Sequence, residues 1–266
     1  MHGSVCRAPR ERAAMLLAHG YGEHLGRYVE LTDALLGLGV SVLAYDQRGH
    51  GRSPGRRATV DVETLVRDHL AVRRQAAALT TGRDLLLHGH SLGGVVVAAS
   101  VLRRPAGVPA VLLSSPALDL GVPTVAPVRA AATALARVAP RAPTVRLDAR
   151  AVSRVPSVVA DYEADPLVAH VRLPALTAAT LLTMGAEVLT RAERWAPPVL
   201  LVHGTHDRLA MVEGSRRFAR EAGTARRPRP PVRLVEVPGG FHELFHDLDA
   251  AAMLDVTVDW VRGRLG

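Results

Sequence analysis

The chain has 266 residues, of which 48% are hydrophobic and 22% are charged, and its formal net charge is +8. This composition can build a sizeable core and excludes disordered, collagen-like and disulfide-rich proteins. Arginine supplies all the side-chain positive charge because the sequence contains no lysine, which excludes a lysine-containing phosphate-binding loop and a Schiff-base enzyme.

The charge pattern and the cysteine count indicate which binding partners and which cellular compartment to expect. The arginines occur as scattered pairs and aromatic residues make up only 3%, so the sequence favours a solvated basic surface over a nucleic-acid site. Weak attraction to anionic membranes is the minority alternative. Cys6 is the single cysteine, no apolar run reaches the ~18 residues of a membrane span, and residues 1–12 lack the apolar core of a signal peptide. We therefore expect a cytoplasmic protein, and no oligomeric state is predicted.

Short apolar runs alternate along the chain with longer helical patterns. The predicted strands are residues 13–18, 40–45, 84–88, 109–113, 199–202 and 232–237. The predicted helices between and after them are residues 28–38, 62–79, 92–103, 209–221 and 244–262. This alternation predicts an α/β fold with a mostly parallel central sheet and helices on both faces.

The alternation breaks between residues 119 and 196, where helices are predicted at 125–138 and 173–195. We expect a core formed by residues 1–118 and 197–266, and a helical cap formed by residues 119–196 over the carboxyl edge of the sheet, where ligands bind in such folds. Four apolar residues of the second cap helix either face a substrate or serve ordinary packing, and the sequence favours neither: Leu176, Leu181, Leu182 and Leu189.

The strongest local signal is the Gly-x-Ser-x-Gly pattern around Ser91. An apolar strand leads into the pattern and a helix follows it, which is the context of a nucleophile elbow. Gly89 and Gly93 remove the side chains that would clash in so sharp a turn. We therefore interpret Ser91 as a nucleophile rather than as part of a plain glycine-rich turn.

A serine nucleophile needs a base, and the base needs a carboxylate that orients it. On this fold the chain order is Ser, then Asp or Glu, then His. Asp207 and His242 follow the predicted strands 199–202 and 232–237 in that order. The alternatives are that Asp207 is a helix N-cap and that His242 is an ordinary loop histidine.

The turn after the first predicted strand, His-Gly-Tyr-Gly at residues 19–22, offers backbone N–H groups. We expect the N–H groups of Tyr21 and Leu92 to form an oxyanion hole, where each donor typically contributes about 10²- to 10³-fold in rate. A structural turn without a ligand is the alternative.

Two other motifs were weighed. Residues 242–246 also match the zinc-protease pattern His-Glu-x-x-His, which requires His242 and His246 on one helix face. The Pro-Gly-Gly sequence just before His242 favours a loop instead. The Gly-x-Gly pairs at residues 20–22 and 49–51 lack the third glycine of a dinucleotide site and are interpreted as turns.

Together these residues resemble the monoacylglycerol lipase branch of the α/β-hydrolases, whose relatives are often labelled lysophospholipases. The resemblance covers nearly the whole chain. Its matching blocks are residues 19–24 with Arg27 and Tyr28, 46–53, 89–94, 147–148 with 152–154, Tyr162 with 165–167, 203–204 with Asp207, and 242–244.

The resemblance implies an α/β-hydrolase fold and a serine esterase that needs no metal or organic cofactor. It implies that the glycerol head group is held by Glu23, Arg27, His90 and Tyr162, although Glu23 and Arg27 could also form only a structural ion pair. It further implies a cap that admits an acyl chain and touches membranes. Relatives usually have a further strand pair before the first predicted strand, and many carry an acid where this chain has Val155.

The sequence therefore predicts a serine ester hydrolase that cleaves monoacylglycerols to fatty acid and glycerol through an acyl-enzyme intermediate. A lysophospholipase or a general short-chain carboxylesterase is the alternative. A zinc peptidase that uses His242 and His246 is a remote one. The expected partner is a small lipid ester.

Overall fold

The structure is a computed structural model that describes residues 1–80, 82–122 and 125–265. In these residues seven strands form one sheet. The strands are β1 (Gly3–Cys6), β2 (Ala13–Ala18), β3 (Val40–Tyr45), β4 (Leu85–His90), β5 (Val111–Ser114), β6 (Val199–Gly204) and β7 (Val232–Val237). Their order is β1-β3-β2-β4-β5-β6-β7, and every pairing is parallel except that of β1 with β3. The predicted mostly parallel sheet is confirmed.

The central strands are apolar throughout because both of their faces are covered. Every residue of β2, β4, β5 and β6 is buried, which is typical of parallel sheets between layers of helices. β4 extends two residues beyond its predicted end, since Gly89 and His90 continue the pairing with β5. That extension places the residue after His90 at the carboxyl edge of the sheet.

The first strand, β1, was not predicted from the sequence. Its four residues alternate between exposed and half-buried positions at the edge of the sheet, where Gly3 lies opposite Tyr45. Such a short and partly polar run gives little periodic signal. Residues 1–12 therefore contribute one antiparallel strand that the sequence analysis did not predict.

Helices cover both faces of the sheet. They are α1 (Val29–Gly37), α2 (Val62–Leu79), α3 (Leu92–Arg103), α4 (Ala126–Val138), α5 (Pro156–Ala164), α6 (Ala175–Arg191), α7 (Val212–Glu221) and α8 (Ala250–Arg262). Met15 and Leu17 of β2 pack in one core with α1 and α8, whereas Leu16 packs in the other with α2, α3 and α7. Successive residues of one strand therefore serve opposite helix layers.

Two predicted helices begin later than expected. α7 starts at Val212 rather than at residue 209, because Asp207 holds the preceding residues in a turn. α8 starts at Ala250, and residues 244–246 form a separate 3-10 turn. Both corrections place the polar residues before these helices in loops, at the edge of the sheet where the candidate site lies.

Three helices, α4, α5 and α6, lie between β5 and β6. α6 packs against α3 and α4, and α5, which was not predicted, begins at Pro156, a favourable first helical residue. The boundaries of the cap at 119 and 196 stay predictions; residues 123 and 124 of the cap, and 81 and 266 of the core, lie outside the described ranges. Among the described residues no helix is long and apolar enough to cross a membrane.

Candidate active site

Ser91 occupies a strained turn between β4 and α3. Its φ of 51° and ψ of −118° lie in a region that residues with a side chain rarely adopt. Such strain persists only when the surrounding structure enforces it and is typical of functional sites. The turn directs the chain from the sheet edge straight into the helix, as a nucleophile elbow requires.

The two glycines of the elbow are dictated by packing. A Cβ atom on Gly89 would come within 2.5 Å of the carbonyl oxygen of Gly93. On Gly93 it would come within 2.1 Å of the carbonyl oxygen of Ala18. Both distances are far below van der Waals contact, so no other residue fits at either position without a backbone shift.

Asp207 and His242 meet at the ends of β6 and β7. The Nδ1 atom of His242 donates a hydrogen bond to Oδ2 of Asp207 at 2.6 Å, and both residues are buried. Because β6 and β7 are parallel neighbours, their carboxyl ends lie side by side. The sequence separates these two residues by 35 positions, and the sheet brings them into contact.

The electrostatics of this pair suit a base and its orienting acid. Burial alone would lower the pKa of His242, but the charge and hydrogen bond of Asp207 raise it above the ordinary value. Burial would raise the pKa of Asp207, but the charge of His242 and a contact with His203 hold it far below its usual range. Asp207 is therefore a stable carboxylate that favours a protonated His242.

The two carboxylate oxygens of Asp207 have different partners, and the N-cap interpretation of this residue is wrong. Oδ1 accepts hydrogen bonds from the backbone N–H groups of Leu209 and Ala210 at 2.8 and 3.0 Å, whereas Oδ2 holds His242. Met211, not Asp207, is the N-cap of α7. The side chain thus shapes its own loop and orients the histidine at once.

Ser91 and His242 line one cavity of about 480 Å³ between the sheet edge and the cap. Most of its wall is apolar and comes from the cap, including Val128, Ala132, Leu181 and Leu182. Of the four residues that the sequence left undecided, Leu181 and Leu182 are among the lining residues and Leu176 and Leu189 are not. The cavity therefore has a polar wall that carries Ser91 and His242 and an apolar wall that the cap supplies, which we call the roof.

Tyr21 and Leu92 line the cavity beside Ser91. Leu92 is the first residue of α3, and the first N–H groups of a helix have no acceptor within it. Gly20 lies close to Ser91, since a Cβ atom on Gly20 would come within 3.1 Å of Ser91 Cβ. The turn that carries Tyr21 is thus adjacent to the nucleophile, where an oxyanion donor is needed.

The four expected head-group residues cluster at one end of the cavity, but not all line it. Glu23, His90 and Tyr162 do, whereas Arg27 is not among the lining residues. Nε of Arg27 lies 3.3 Å from Oε2 of Glu23, and its guanidinium lies 4.7 Å from the ring centre of Tyr162. The structural ion pair considered from the sequence is therefore present, and Arg27 contacts two residues that line the cavity.

Three residues support the site although the sequence assigned them no role there. The Ser115 hydroxyl donates to the His242 carbonyl at 2.7 Å, and Nε2 of His203 lies 3.2 Å from Oδ2 of Asp207. Glu243, which belongs to the matching block 242–244 but was given no role there, lines the cavity and contacts Arg27. The contacts of Ser115 and Glu243 join segments that are distant in the chain, so only the fold shows them.

His242 and His246 do not share one face of an α-helix. His242 lies in a bend, and only residues 244–246 form a 3-10 turn. Nδ1 of His242 is engaged by Asp207, while Nδ1 of His246 contacts Glu243 at 3.0 Å. Among the described residues no group of three or more His, Cys, Asp or Glu side chains is arranged to hold a metal ion. The geometry that the zinc pattern requires is thus not formed.

The parallel sheet carries a serine at a strained strand-to-helix turn, and a buried Asp–His pair borders the same cavity. Together they define the class of protein: a hydrolase of the α/β-hydrolase superfamily. Known structures agree. A monoacylglycerol lipase from Paleococcus ferrophilus superimposes with a TM-score of 0.87 at 32% identity, over 99% of this chain and 98% of that one. A monoglyceride lipase from Saccharomyces cerevisiae shares the fold with a TM-score of 0.84 at 22% identity, over 99% and 92% of the chains.

Sequence comparisons define the family. Residues 9–249 match the family described as "Serine aminopeptidase, S33". The chain is 38% identical to a monoacylglycerol lipase of Mycolicibacterium smegmatis over 96% of its length and 89% of the relative's, and 30% identical to a rat monoglyceride lipase over 96% and 84%. The chain belongs to this family, in the monoacylglycerol lipase-like branch of the α/β-hydrolases. The predicted fold, family and carboxylic ester hydrolase class are confirmed.

Proposed function

We propose that the protein is a monoacylglycerol lipase in which Ser91, His242 and Asp207 form the catalytic triad. The observation that carries the proposal is the buried Asp207–His242 hydrogen bond, whose histidine lines the same cavity as the strained Ser91. The names of the similar proteins supply the substrate class. The largely apolar cavity fits a single acyl chain.

In the proposed mechanism the Ser91 oxygen attacks the ester carbonyl while His242 takes the hydroxyl proton. The N–H groups of Tyr21 and Leu92 stabilise the negative oxygen of the tetrahedral intermediate. Its collapse breaks the ester bond, and His242 returns the proton to the leaving glycerol. A water molecule deprotonated by His242 then attacks the acyl-enzyme, which releases the fatty acid and restores Ser91.

The proposal is tested with Ser91→Ala and a matched control, Ser157→Ala, which changes an exposed serine of α5. Wild type and the control are expected to react with a fluorophosphonate and to hydrolyse a series of monoacylglycerols. Ser91→Ala is expected to do neither. Labelling that persists in Ser91→Ala, or a wild type that leaves every monoacylglycerol intact, contradicts the proposal.

The same assay separates the alternatives. A lysophospholipid of matched acyl chain tests for a lysophospholipase, and short-chain p-nitrophenyl esters test for a general carboxylesterase. An aminoacyl p-nitroanilide belongs in the panel because the matching family is described as a serine aminopeptidase. Monoacylglycerol is expected to give the highest kcat/KM of the four substrate types.

We also propose that the cap contacts membranes transiently. Val125, Val138 and Val145 of the cap are 55%, 83% and 59% exposed, and the exposed Arg129 and Arg137 lie on the same helix as Val138. Exposed apolar side chains beside arginines fit an anionic lipid surface.

Co-sedimentation with vesicles of anionic and of neutral lipids tests the contact. Val138→Asp is expected to weaken binding to anionic vesicles. Leu248→Asp is the matched control, because Leu248 is also highly exposed, at 68%, but lies outside the cap. Equal binding of both variants, or no binding by wild type, contradicts the contact.

A further inference from the structure

The end of β5 and the turn after it, residues 114–117, hold the backbone of the nucleophile from two sides, and we call this segment the β5 turn. The N–H of Ser91 donates to the Ser114 carbonyl at 3.0 Å, and the N–H of Ala117 donates to the Ser91 carbonyl at 3.1 Å. Ser114 also lies opposite His90, the residue before the nucleophile, in the sheet. The β5 turn is therefore attached directly to the nucleophile elbow.

The β5 turn contains a strained serine, Ser115. Its φ of 41° lies in the left-handed region, which disfavours residues with a Cβ atom and which glycine adopts freely. The residue is fully buried, and its backbone N–H donates to the Val202 carbonyl of β6 at 2.9 Å. Such strain persists only where the surrounding structure enforces it. Because glycine would adopt this conformation more easily, the serine is explained best by what its hydroxyl does.

The hydroxyl of Ser115 reaches the loop that carries the base. It donates to the carbonyl oxygen of His242 at 2.7 Å. Among the described residues that carbonyl has no other hydrogen-bond partner, and the ring of His242 has one, Asp207 at Nδ1. The loop before His242 begins with the flexible sequence Pro-Gly-Gly at residues 238–240. Asp207 thus holds one atom of the ring, and Ser115 supplies a second fixed point on the same residue.

Two fixed points are needed to aim the imidazole of His242. A hydrogen bond at Nδ1 alone lets the ring pivot about that atom, so it does not determine the position of Nε2, which must reach the serine hydroxyl. The bond from Ser115 ties the backbone of His242 to the β5 turn, and Ser91 is tied to the same turn. The nucleophile and the base therefore share one support.

We propose that Ser115 is a positioning residue that aims the imidazole of His242 at Ser91 by holding the His242 carbonyl. The inference rests on the triad of the proposed function and goes beyond it, because no step of that mechanism involves Ser115. Ser115 is not among the residues that line the cavity. Its loss is therefore expected to slow proton transfer and to leave substrate binding unchanged.

The test compares Ser115→Ala and Ser115→Gly with a matched control, Ser100→Ala. Alanine removes the hydroxyl and keeps the backbone strain, whereas glycine removes both. Ser100 of α3 is also fully buried, and its hydroxyl donates to the backbone carbonyl of Val97 at the same distance, 2.7 Å. Ser100 additionally accepts a hydrogen bond from Arg73, so the control is expected to lose at least as much stability.

Four quantities are measured: kcat and KM for 1-lauroylglycerol, and the rate and final extent of fluorophosphonate labelling. Both Ser115 variants are expected to lose about 10- to 100-fold in kcat with KM unchanged, because a misplacement of about 1 Å has an effect of this size. Their labelling is expected to be slower but to reach one label per chain. A merely structural loss would lower the final extent instead, because unfolded chains do not react. Ser100→Ala is expected to match wild type.

Each outcome supports or overturns the role of Ser115. Slower labelling to the same final extent in both Ser115 variants supports it. A wild-type kcat in Ser115→Gly overturns it, because the hydroxyl is then dispensable, and this variant decides the question if Ser115→Ala fails to fold. Equal losses of kcat in Ser115→Ala and Ser100→Ala overturn it as well.

The labelling also separates this proposal from the proposed function. A wild type that is labelled but leaves 1-lauroylglycerol intact contradicts the proposed substrate, and the labelling rates of the Ser115 variants still test the positioning role. A wild type that is not labelled at all overturns both proposals, because the positioning role requires an active triad.

Discussion

The two ends of the cavity are built on different physical principles. The polar end, around Glu23, His90 and Glu243, is made by loops at the carboxyl edge of the sheet and is held by directed hydrogen bonds and buried charges. The apolar roof comes mostly from the cap and presents side chains such as Ala132 and Leu182 that form no directed bonds in the cavity.

Each end of the cavity is therefore suited to select a different part of the substrate. A directed network loses its function when one atom is moved or one charge removed, because its partners are left unpaired in a buried place. An apolar wall responds to volume and tolerates exchange among residues of similar size. We therefore expect substitutions at the polar end to alter chemistry or stability and substitutions in the roof to alter acyl chain length.

The largest expected effect comes from breaking the orientation of His242. Asp207→Asn removes the charge that stabilises the protonated histidine and allows the wrong tautomer, so kcat for a monoacylglycerol is expected to fall about 10⁴-fold. Asp148→Asn is the matched control, because Asp148 lines the cavity but caps a turn at Arg150. A loss of similar size in both variants would refute the role given to Asp207.

A second prediction tests whether the polar end is held together by Arg27. Arg27→Met leaves two buried carboxylates without their shared partner, and the free energy of unfolding is expected to fall by about 3–5 kcal/mol in urea denaturation. Arg48→Met removes an ion pair of similar length with Asp68, but Arg48 is 48% exposed. That control is expected to lose less than about 1 kcal/mol. Equal losses would mean that burial does not distinguish the two pairs.

A third prediction concerns the roof alone. Ala132→Phe places a bulky ring in the cavity, and kcat/KM for long-chain monoacylglycerols is expected to fall about tenfold while short chains are still cleaved. Ala134→Phe, on the exposed side of the same helix, is expected to leave chain-length preference unchanged. An equal loss of kcat/KM on short-chain and long-chain substrates would contradict the prediction that the roof selects acyl chains by their volume.

The smallest expected effect is a shift in pH dependence. His242 must be neutral to accept the serine proton. Because its pKa is raised, kcat/KM is expected to decline on acidification at a higher pH than for an ordinary histidine. Glu243 raises the pKa of His242 through its charge. Glu243→Gln is thus expected to move the acidic limb of the profile to lower pH by less than about one unit, and an upward shift would contradict the assignment.

The sequence predicted those parts of the molecule that short patterns determine. The strand before Ser91, the elbow glycines and the helix after it are adjacent in the chain, so local patterning predicts them. The order of Ser91, Asp207 and His242 along the chain follows from the fold once the parallel sheet is recognised.

The parts that were missed depend on contacts between distant segments. Arg27 and Glu243 are 216 positions apart, and no pattern around either residue indicates that they meet. Likewise, the family resemblance implies that Arg27 lies near a head group, but nothing in the sequence shows that its guanidinium contacts two carboxylates. β1 was missed for a different reason, since four half-exposed residues carry too weak a periodicity.

One junction links the cap to the loop that carries His242. The backbone N–H of Glu243 donates to the Val152 carbonyl at 2.8 Å, and the Ser153 hydroxyl donates to the His246 carbonyl at 2.8 Å. Arg154 forms ion pairs with Asp247 and Asp249. Residues 152–154 and the histidine loop are therefore expected to open as one cooperative unit, with matching amide-exchange rates.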